Sequence, residues 1–228
     1  MKGIRLYLYT TFGNLMVMLL GKVRAKYFFE KMYWRLMWIL EYRKLTNDQY
    51  KAAFTQVFGL SVEFFANKRI LDIGCGPRGS LEWTPESSIC FGLDPLAEKY
   101  TQMNGGRHRM TYVAAAAESM PFEDGTFDLI SSFNSLDHVD DLEDTLAEVW
   151  RVLKLGGDFL VIADVHDQPA LCEPVSIGWD LSERLSGEFN LVDERRLKRD
   201  VKVYQSALNG IPYEGGDYGL LVARFTKK

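Results

Sequence analysis

Apolar and polar positions along this chain fall into short apolar runs separated by turns and amphipathic stretches. Leu71-Asp72-Ile73 is an apolar run that closes in the glycine-rich turn Gly74-Cys75-Gly76-Pro77-Arg78-Gly79, and Phe91-Gly92-Leu93-Asp94 is a second run of the same kind. Gly125-Thr126-Phe127-Asp128-Leu129-Ile130 opens another strand that continues to Phe133. Leu142 to Leu153 carries apolar residues at helical spacing, and Gly156-Gly157 is expected to end that helix before a buried strand that runs to Asp164. Beyond it the pattern predicts a helix over Ile177 to Leu185, a strand over Phe189 to Arg196 and an alternating last strand over Gly219 to Phe225.

Ahead of the first strand the pattern is helical. Thr46-Asn47-Asp48-Gln49 has the form of a capping box and predicts a helix running to about Phe65. The change of pattern at Ala66 to Lys68 divides the chain into a helical extension, residues 1–66, and a core, residues 67–228. Between the first two strands only Ser80 to Ser88 remain, and Pro85 cuts that connection, so the first crossover helix is expected to be truncated. No internal repeat, low-complexity tract or polar linker interrupts the sequence.

Size and composition add limits. With 228 residues, 47% hydrophobic and 25% charged, the chain suits one α/β core with something appended. Cys75, Cys90 and Cys172 are odd in number and lack C-x-x-C spacing, which argues against a disulfide framework and a structural zinc and for a reducing, cytoplasmic setting. Residues 1 to 45 hold nine basic and two acidic residues, a balance of +7, against 18 and 29 in the remainder, a balance of −11. That basic front is rich in aromatics, among them Tyr7, Tyr9, Phe12, Tyr27, Phe28, Phe29, Tyr33, Trp34, Trp38 and Tyr42. Its uncharged stretch between Arg5 and Lys22 has 16 residues, about 24 Å as helix and short of a roughly 30 Å hydrocarbon core. No signal-peptide cleavage pattern follows that stretch. Two readings stay open for residues 1–45: helices that cap the core or pair between subunits, and an interfacial element on the inner face of a membrane. The acidic core and the lack of a reading motif exclude nucleic acid as partner.

The chemistry gathers at the glycine turn. Gly74 and Gly76 remove the Cβ atoms that would hold a ligand away from backbone, and with Gly79 they also fit the G-x-G-x-x-G spacing of dinucleotide sites. Asp72 disfavours that second ligand, because a carboxylate repels a pyrophosphate but attracts an ammonium or a sulfonium. Pro77 removes one of the N–H groups a pyrophosphate would want. Asp94 stands where a carboxylate can accept hydrogen bonds from both ribose hydroxyls. Together, the strand closing in D-x-G-x-G, the acid at 94, Ala117-Glu118-Ser119-Met120-Pro121-Phe122 and the Gly156-Gly157 strand resemble the class I S-adenosylmethionine-dependent methyltransferases, type 11-like, over about residues 67–165.

The resemblance implies a Rossmann-like seven-stranded sheet, mostly parallel with an antiparallel last strand, and S-adenosylmethionine as cofactor. It assigns cofactor contacts to Asp72, Gly74, Cys75, Gly76, Asp94, Pro95, Ala117, Glu118 and Asn134. One departure is Ala116, where the family often has an aspartate for the adenine amino group; Glu118, the backbone near Ala117, or packing must then serve. The implied activity is methyl transfer to a small-molecule, lipid-linked or glycan-linked acceptor, with a nicotinamide oxidoreductase or a non-catalytic cofactor-binding subunit as the alternatives. An amine acceptor needs only deprotonation and desolvation, whereas a hydroxyl or enolic carbon needs a base, for which His138 and His166 are the candidates. Acceptor contacts are expected from Asp164, Glu173, Trp179 and Tyr204, with Tyr204 and Tyr213 as a lid. His108 is expected at the surface. No tight ligand motif points to a metal.

Overall fold

A computed structural model describes residue 13 and residues 15–41, 43, 45–104, 107–166, 168–200, 202–216 and 218–228. Tyr7, Tyr9, Phe12, Tyr42 and half of the stretch between Arg5 and Lys22 lie outside these residues. Seven strands form one sheet: β1 (Arg69–Ile73), β2 (Ile89–Leu93), β3 (Thr111–Val113), β4 (Phe127–Phe133), β5 (Leu153–Val165), β6 (Phe189–Lys198) and β7 (Gly219–Lys227). Their order is β3-β2-β1-β4-β5-β7-β6. β1 to β5 pair in parallel, and β7 runs antiparallel between β5 and β6. The helices are α1 (Lys22–Leu40), α2 (Asp48–Thr55), α3 (Ala97–Asn104), α4 (Leu142–Val152), α5 (Leu181–Arg184) and α6 (Val203–Asn209).

The two-residue period of the strands sorts the core onto two faces. Leu71, Ile73, Phe159, Val161, Ala163, Leu221 and Ala223 face one layer with Leu146 and Val149 of α4. Ile70, Leu160, Ile162, Leu220 and Val222 face the other, with Phe54 of α2, Ala207 of α6 and Phe65. Between β1 and β2 only turns occur, as the short Ser80 to Ser88 connection requires.

Four expectations are corrected. The helix opened at Asp48 ends at Thr55 rather than near Phe65, because Gly59 takes a left-handed φ of 63° and the chain resumes only as a 3-10 turn, Val62–Phe65. The Thr46–Gln49 capping box does not form: Asn47 takes the N-cap position without a side-chain cap, and its amide donates to the Gly79 carbonyl. Gly156 and Gly157 do not terminate α4, because Leu153 already pairs with Phe127, and the next β4–β5 pair is Leu129 with Asp158, so the glycines fill a bulge. Of the helix expected over Ile177 to Leu185 only Leu181–Arg184 forms, since Val175 N–H is drawn to the Asp137 carbonyl and Ile177 is buried in the core ahead of the turn.

Candidate active site

The carboxyl ends of β1, β2 and β4 meet at a cavity of about 60 Å³, lined among others by Gly74, Asp94, Pro95, Ala117, Glu118 and His138. Gly74 turns the chain with φ 68°, and a Cβ there would stand 2.3 Å from Ser135 Cβ. The β1 and β4 loops approach each other only because that atom is missing. Gly74→Ala is therefore expected to cost more than about 2 kcal/mol of stability, through both overpacking and the left-handed φ; urea denaturation with an unchanged midpoint would refute this.

Asp94 follows the end of β2 and is buried. Its Oδ1 accepts from Leu96 N–H at 2.8 Å and its Oδ2, more weakly, from Gly76 N–H at 3.4 Å. Burial pushes its pKa up to about 7; the Leu96 amide opposes this, nearby Glu30 adds to it, and the Gly76 amide and His138 also hold it down. Free lone pairs on a buried carboxylate suit a ligand that brings hydroxyl donors.

Asp72 is placed differently. Strand alternation turns it onto the α2 face, where Ser131, its partner across β1–β4, donates to Oδ1 at 2.6 Å and Ser80 to Oδ2 at 2.5 Å. Burial raises its pKa to about 6 against these two hydroxyls. It lies behind the glycine turn as a buried negative charge rather than on the cavity wall. Cys75 also turns inward, packing where a Cβ on Gly92 would meet its Sγ at 2.6 Å, and burial pushes its thiol well up. Asn134 takes φ 55°, and its Oδ1 is buried without a hydrogen-bond partner. Glu118 Oε1 accepts from the amides of both Asp140 and Asp141, so it ties down the turn before α4.

The remaining wall comes from α1, which no motif announced. Lys26, Tyr27 and Glu30 line the cavity, and the Trp34 indole lies against Gly76, 3.0 Å from where a Cβ would be. Lys26, buried, reaches Asp140 at 2.5 Å and the His138 carbonyl at 2.9 Å. Glu30 sits 3.0 Å from His138 Nδ1. At the far end Arg78 grips Glu41 through two bonds, 2.6 and 2.8 Å, with its guanidinium over Trp34. Burial works against a charged His138, but the Glu30 hydrogen bond and the carboxylates of Asp137 and Glu30 outweigh it and hold the imidazole above its ordinary range. The sequence signal for this helix was its mixture of aromatics and basic residues; the partners lie over 100 positions away.

Among the expected acceptor residues, Glu173 lies beside Asp137 and His166. Asp164 is paired with Arg199 at 2.5 Å. Trp179 stacks on Tyr213 at 4.8 Å, near the β6 side of the sheet. Tyr204 packs edge-on to Tyr50 at 5.3 Å and against Phe133, so it belongs to the core under α2 and not to a lid. His108, between exposed Arg107 and Arg109, is half-buried at the surface: its ring covers Gly79, its Nδ1 meets Tyr112 Oη at 2.7 Å, and burial lowers its pKa. Asp167, beside His166, lies outside the described residues.

A sheet with one reversed strand between β5 and β6, and an acid-and-glycine crevice at its carboxyl edge, defines an α/β fold distinct from the dinucleotide-binding kind. Comparison with known proteins narrows this. Residues 71–161 match the model of the methyltransferase domain family. The methyltransferase YcgJ of Bacillus subtilis is 33% identical over 109 residues, 45% of this chain and 43% of that one. A sterol 4-C-methyltransferase of Caenorhabditis elegans is 36% identical over 108 residues, 44% of this chain and 32% of that one. The match thus spans less than half the length of these curated relatives. The crystal structure of YcgJ superposes with a TM-score of 0.53 at 18% identity, covering 76% of this chain and 98% of that one. A geranyl diphosphate C-methyltransferase from Streptomyces coelicolor, solved with Mg2+, geranyl diphosphate and S-adenosyl-L-homocysteine, gives 0.56 at 15% identity, covering 73% and 79%. Residues 71–161 are thus similar to the methyltransferase domain family, and the fold is the one these solved methyltransferases share.

Proposed function

We propose that this chain transfers a methyl group from S-adenosylmethionine to a small-molecule or lipid-linked acceptor, with residues 1–66 as a cap on the core formed by residues 67–228. The observation that carries this is Asp94, a buried carboxylate with spare lone pairs beside a bare-backbone glycine turn. The cavity lining fits the cofactor: Asp94 for the ribose hydroxyls, Gly74 for close approach, and Ala117 and Pro95 for the base, while Gly76 is covered by Trp34 and Asn134 lies outside the lining. Glu30, Asp94, Glu118 and Asp140 outnumber Lys26 around the cavity and suit a cationic ligand. When bound, the cofactor supplies an electrophilic methyl on a sulfonium. The protein's part is to align that methyl with the acceptor and to exclude water. His138, engaged by Glu30 and with its pKa raised, positions α1 more than it takes a proton; His166 Nε2, without a hydrogen-bond partner among the described residues, is the better-placed base. Calorimetric titration is expected to show one S-adenosylhomocysteine bound per chain; tight binding of a nicotinamide dinucleotide instead would replace this reading.

The outer face of α1 supports a lipid-facing role. Met32, Leu36, Ile39 and Leu40 are exposed, as are Met18 and Leu19 just before the helix, while Lys22, Arg24, Lys31 and Arg35 supply positive charge. No helix among the described residues is long and apolar enough to cross a membrane, so the contact proposed is peripheral. Full-length protein is expected to float with phosphatidylserine vesicles, and Leu36→Glu with Ile39→Glu to reduce the floated fraction at least fivefold. Protein that stays at the bottom of the gradient with anionic and neutral vesicles alike rules the idea out.

A further inference from the structure

The ends of β4 and β5 hold a second cluster. Asp137 sits in the 3-10 turn Leu136–His138 after β4, His166 directly follows β5, and Glu173 lies in the segment beyond it. One ligand atom from each falls within 4.8 Å of the others. Asp137 is 1% exposed and His166 5%. Both Asp137 carboxylate oxygens and His166 Nε2 are buried without a hydrogen-bond partner among the described residues.

The tautomer of His166 decides what this means. Its Nδ1 stands 2.9 Å from the Gln168 carbonyl, which can only accept, so Nδ1 carries the proton. In the neutral ring Nε2 then offers its lone pair, 3.8 Å from Asp137 Oδ2 and too far for a hydrogen bond in either protonation state. Two carboxylates and an imidazole nitrogen thus converge, and among the described residues no donor stands within hydrogen-bond reach of the Asp137 oxygens or of His166 Nε2. Leaving buried charges and acceptors unpaired is costly; His138 Nε2, 3.8 Å from Asp137 Oδ1, offsets part of that charge when protonated but makes no hydrogen bond to it, while Lys26 and Arg199 are engaged with Asp140 and Asp164.

We infer that Asp137, His166 and Glu173 form a binding site for a divalent transition-metal ion. One imidazole with two carboxylates suits Mn2+, Fe2+ or Zn2+, whereas Mg2+ and Ca2+ favour oxygen alone. A backbone carbonyl on the opposite ring nitrogen is the support that metal-binding histidines ordinarily have. Ligand atoms about 2.1 Å from one ion stand roughly 3.0–3.4 Å apart, so the 3.8 Å pair must close by about 0.4–0.8 Å and separations of up to 4.8 Å by about 1.4–1.8 Å. Three protein ligands leave positions for water or an oxygen-bearing ligand, on the side where Glu173 is partly exposed. With the ion in place His166 is a ligand and is no longer free to take a proton.

The test needs no methyl transfer. Full-length protein, stripped with EDTA and then freed of it, is titrated with Mn2+ and followed by electron paramagnetic resonance. One ion per chain is expected, with a melting temperature raised by several degrees at saturation, and with affinity at least tenfold lower in Asp137→Asn, His166→Gln and Glu173→Gln. Glu173 is partly exposed, so Glu173→Gln is expected to keep the wild-type circular dichroism and carries the test if the buried variants fail to fold. No saturable uptake, equal affinity in Glu173→Gln and wild type, or a preference for Mg2+ or Ca2+ overturns the assignment.

Discussion

Replacing Asp94 by Asn is expected to weaken S-adenosylhomocysteine binding about 100-fold while raising the melting temperature at pH 8. The two effects have different causes. Two hydrogen bonds from ribose hydroxyls to a carboxylate contribute roughly 1.5–3 kcal/mol each, and about 1.4 kcal/mol is tenfold in affinity. Asparagine keeps one acceptor, which the Leu96 amide already uses. Stability moves the other way because the folded protein holds Asp94 near pKa 7 against an ordinary value of 3.8. A raised pKa contributes stability that is fully present below 3.8 and lost as pH climbs through 7. At pH 8 the wild type carries the whole cost of a buried charge, a few kcal/mol at about 1.4 kcal/mol per pKa unit; the variant carries none. The gain in melting temperature should fade toward pH 4. Wild-type affinity in the variant would remove Asp94 from the ribose site, and a lower melting temperature at pH 8 would contradict the burial argument.

Lys26→Met should speed cofactor association about tenfold. The crevice under α1 has room for about 60 Å³, roughly two waters, whereas ligand sites run to about 300–1,000 Å³. Entry therefore requires α1 to shift, and Lys26 is the tie that holds its first turns, to Asp140 and the His138 carbonyl. Methionine keeps the length of the stem and drops the ammonium; Asp140, 43% exposed, is left to water rather than stranded. The neighbouring Glu30–His138 pair adds a pH dependence. The raised pKa of His138 means that its attraction to Glu30 is present at acid pH and is lost as pH rises through the histidine's elevated value, above 6.5. Association should accelerate across that range in the wild type and less so in Glu30→Gln, where Asp94 ionisation remains. Stopped-flow fluorescence of Trp34 beside Gly76 would follow the step. Equal rates for Lys26→Met and wild type would mean that α1 does not gate the crevice.

Much of the sheet was legible because its signals are local. A two-residue apolar period, a glycine turn with an acid before it and an acid after the next strand occupy a few consecutive positions each, and β1, β2, β4, β5 and β7 form about where those patterns lie. The errors fall where long-range contact competes with local preference. The Thr46–Gln49 box gave way to Asn47, whose amide goes to the Gly79 carbonyl, Val175 was drawn to Asp137, and Leu153 entered the sheet before the glycines expected to precede it. The orientation of Asp72 was implicit in the alternation that places it with Ile70, yet the glycine motif drew it toward the ligand instead.

By itself the sequence determined the α/β class, the acid-and-glycine crevice and the basic, aromatic front, since strand period, backbone freedom and charge are properties of neighbouring residues. Tertiary structure alone decided that α1 roofs the crevice and that Asp137, His166 and Glu173 share one centre. Those groups come from separate segments, and only the sheet order brings the ends of β4 and β5 side by side. A buried lysine or an unpartnered carboxylate has no local signature, because its energy depends on which distant group reaches it.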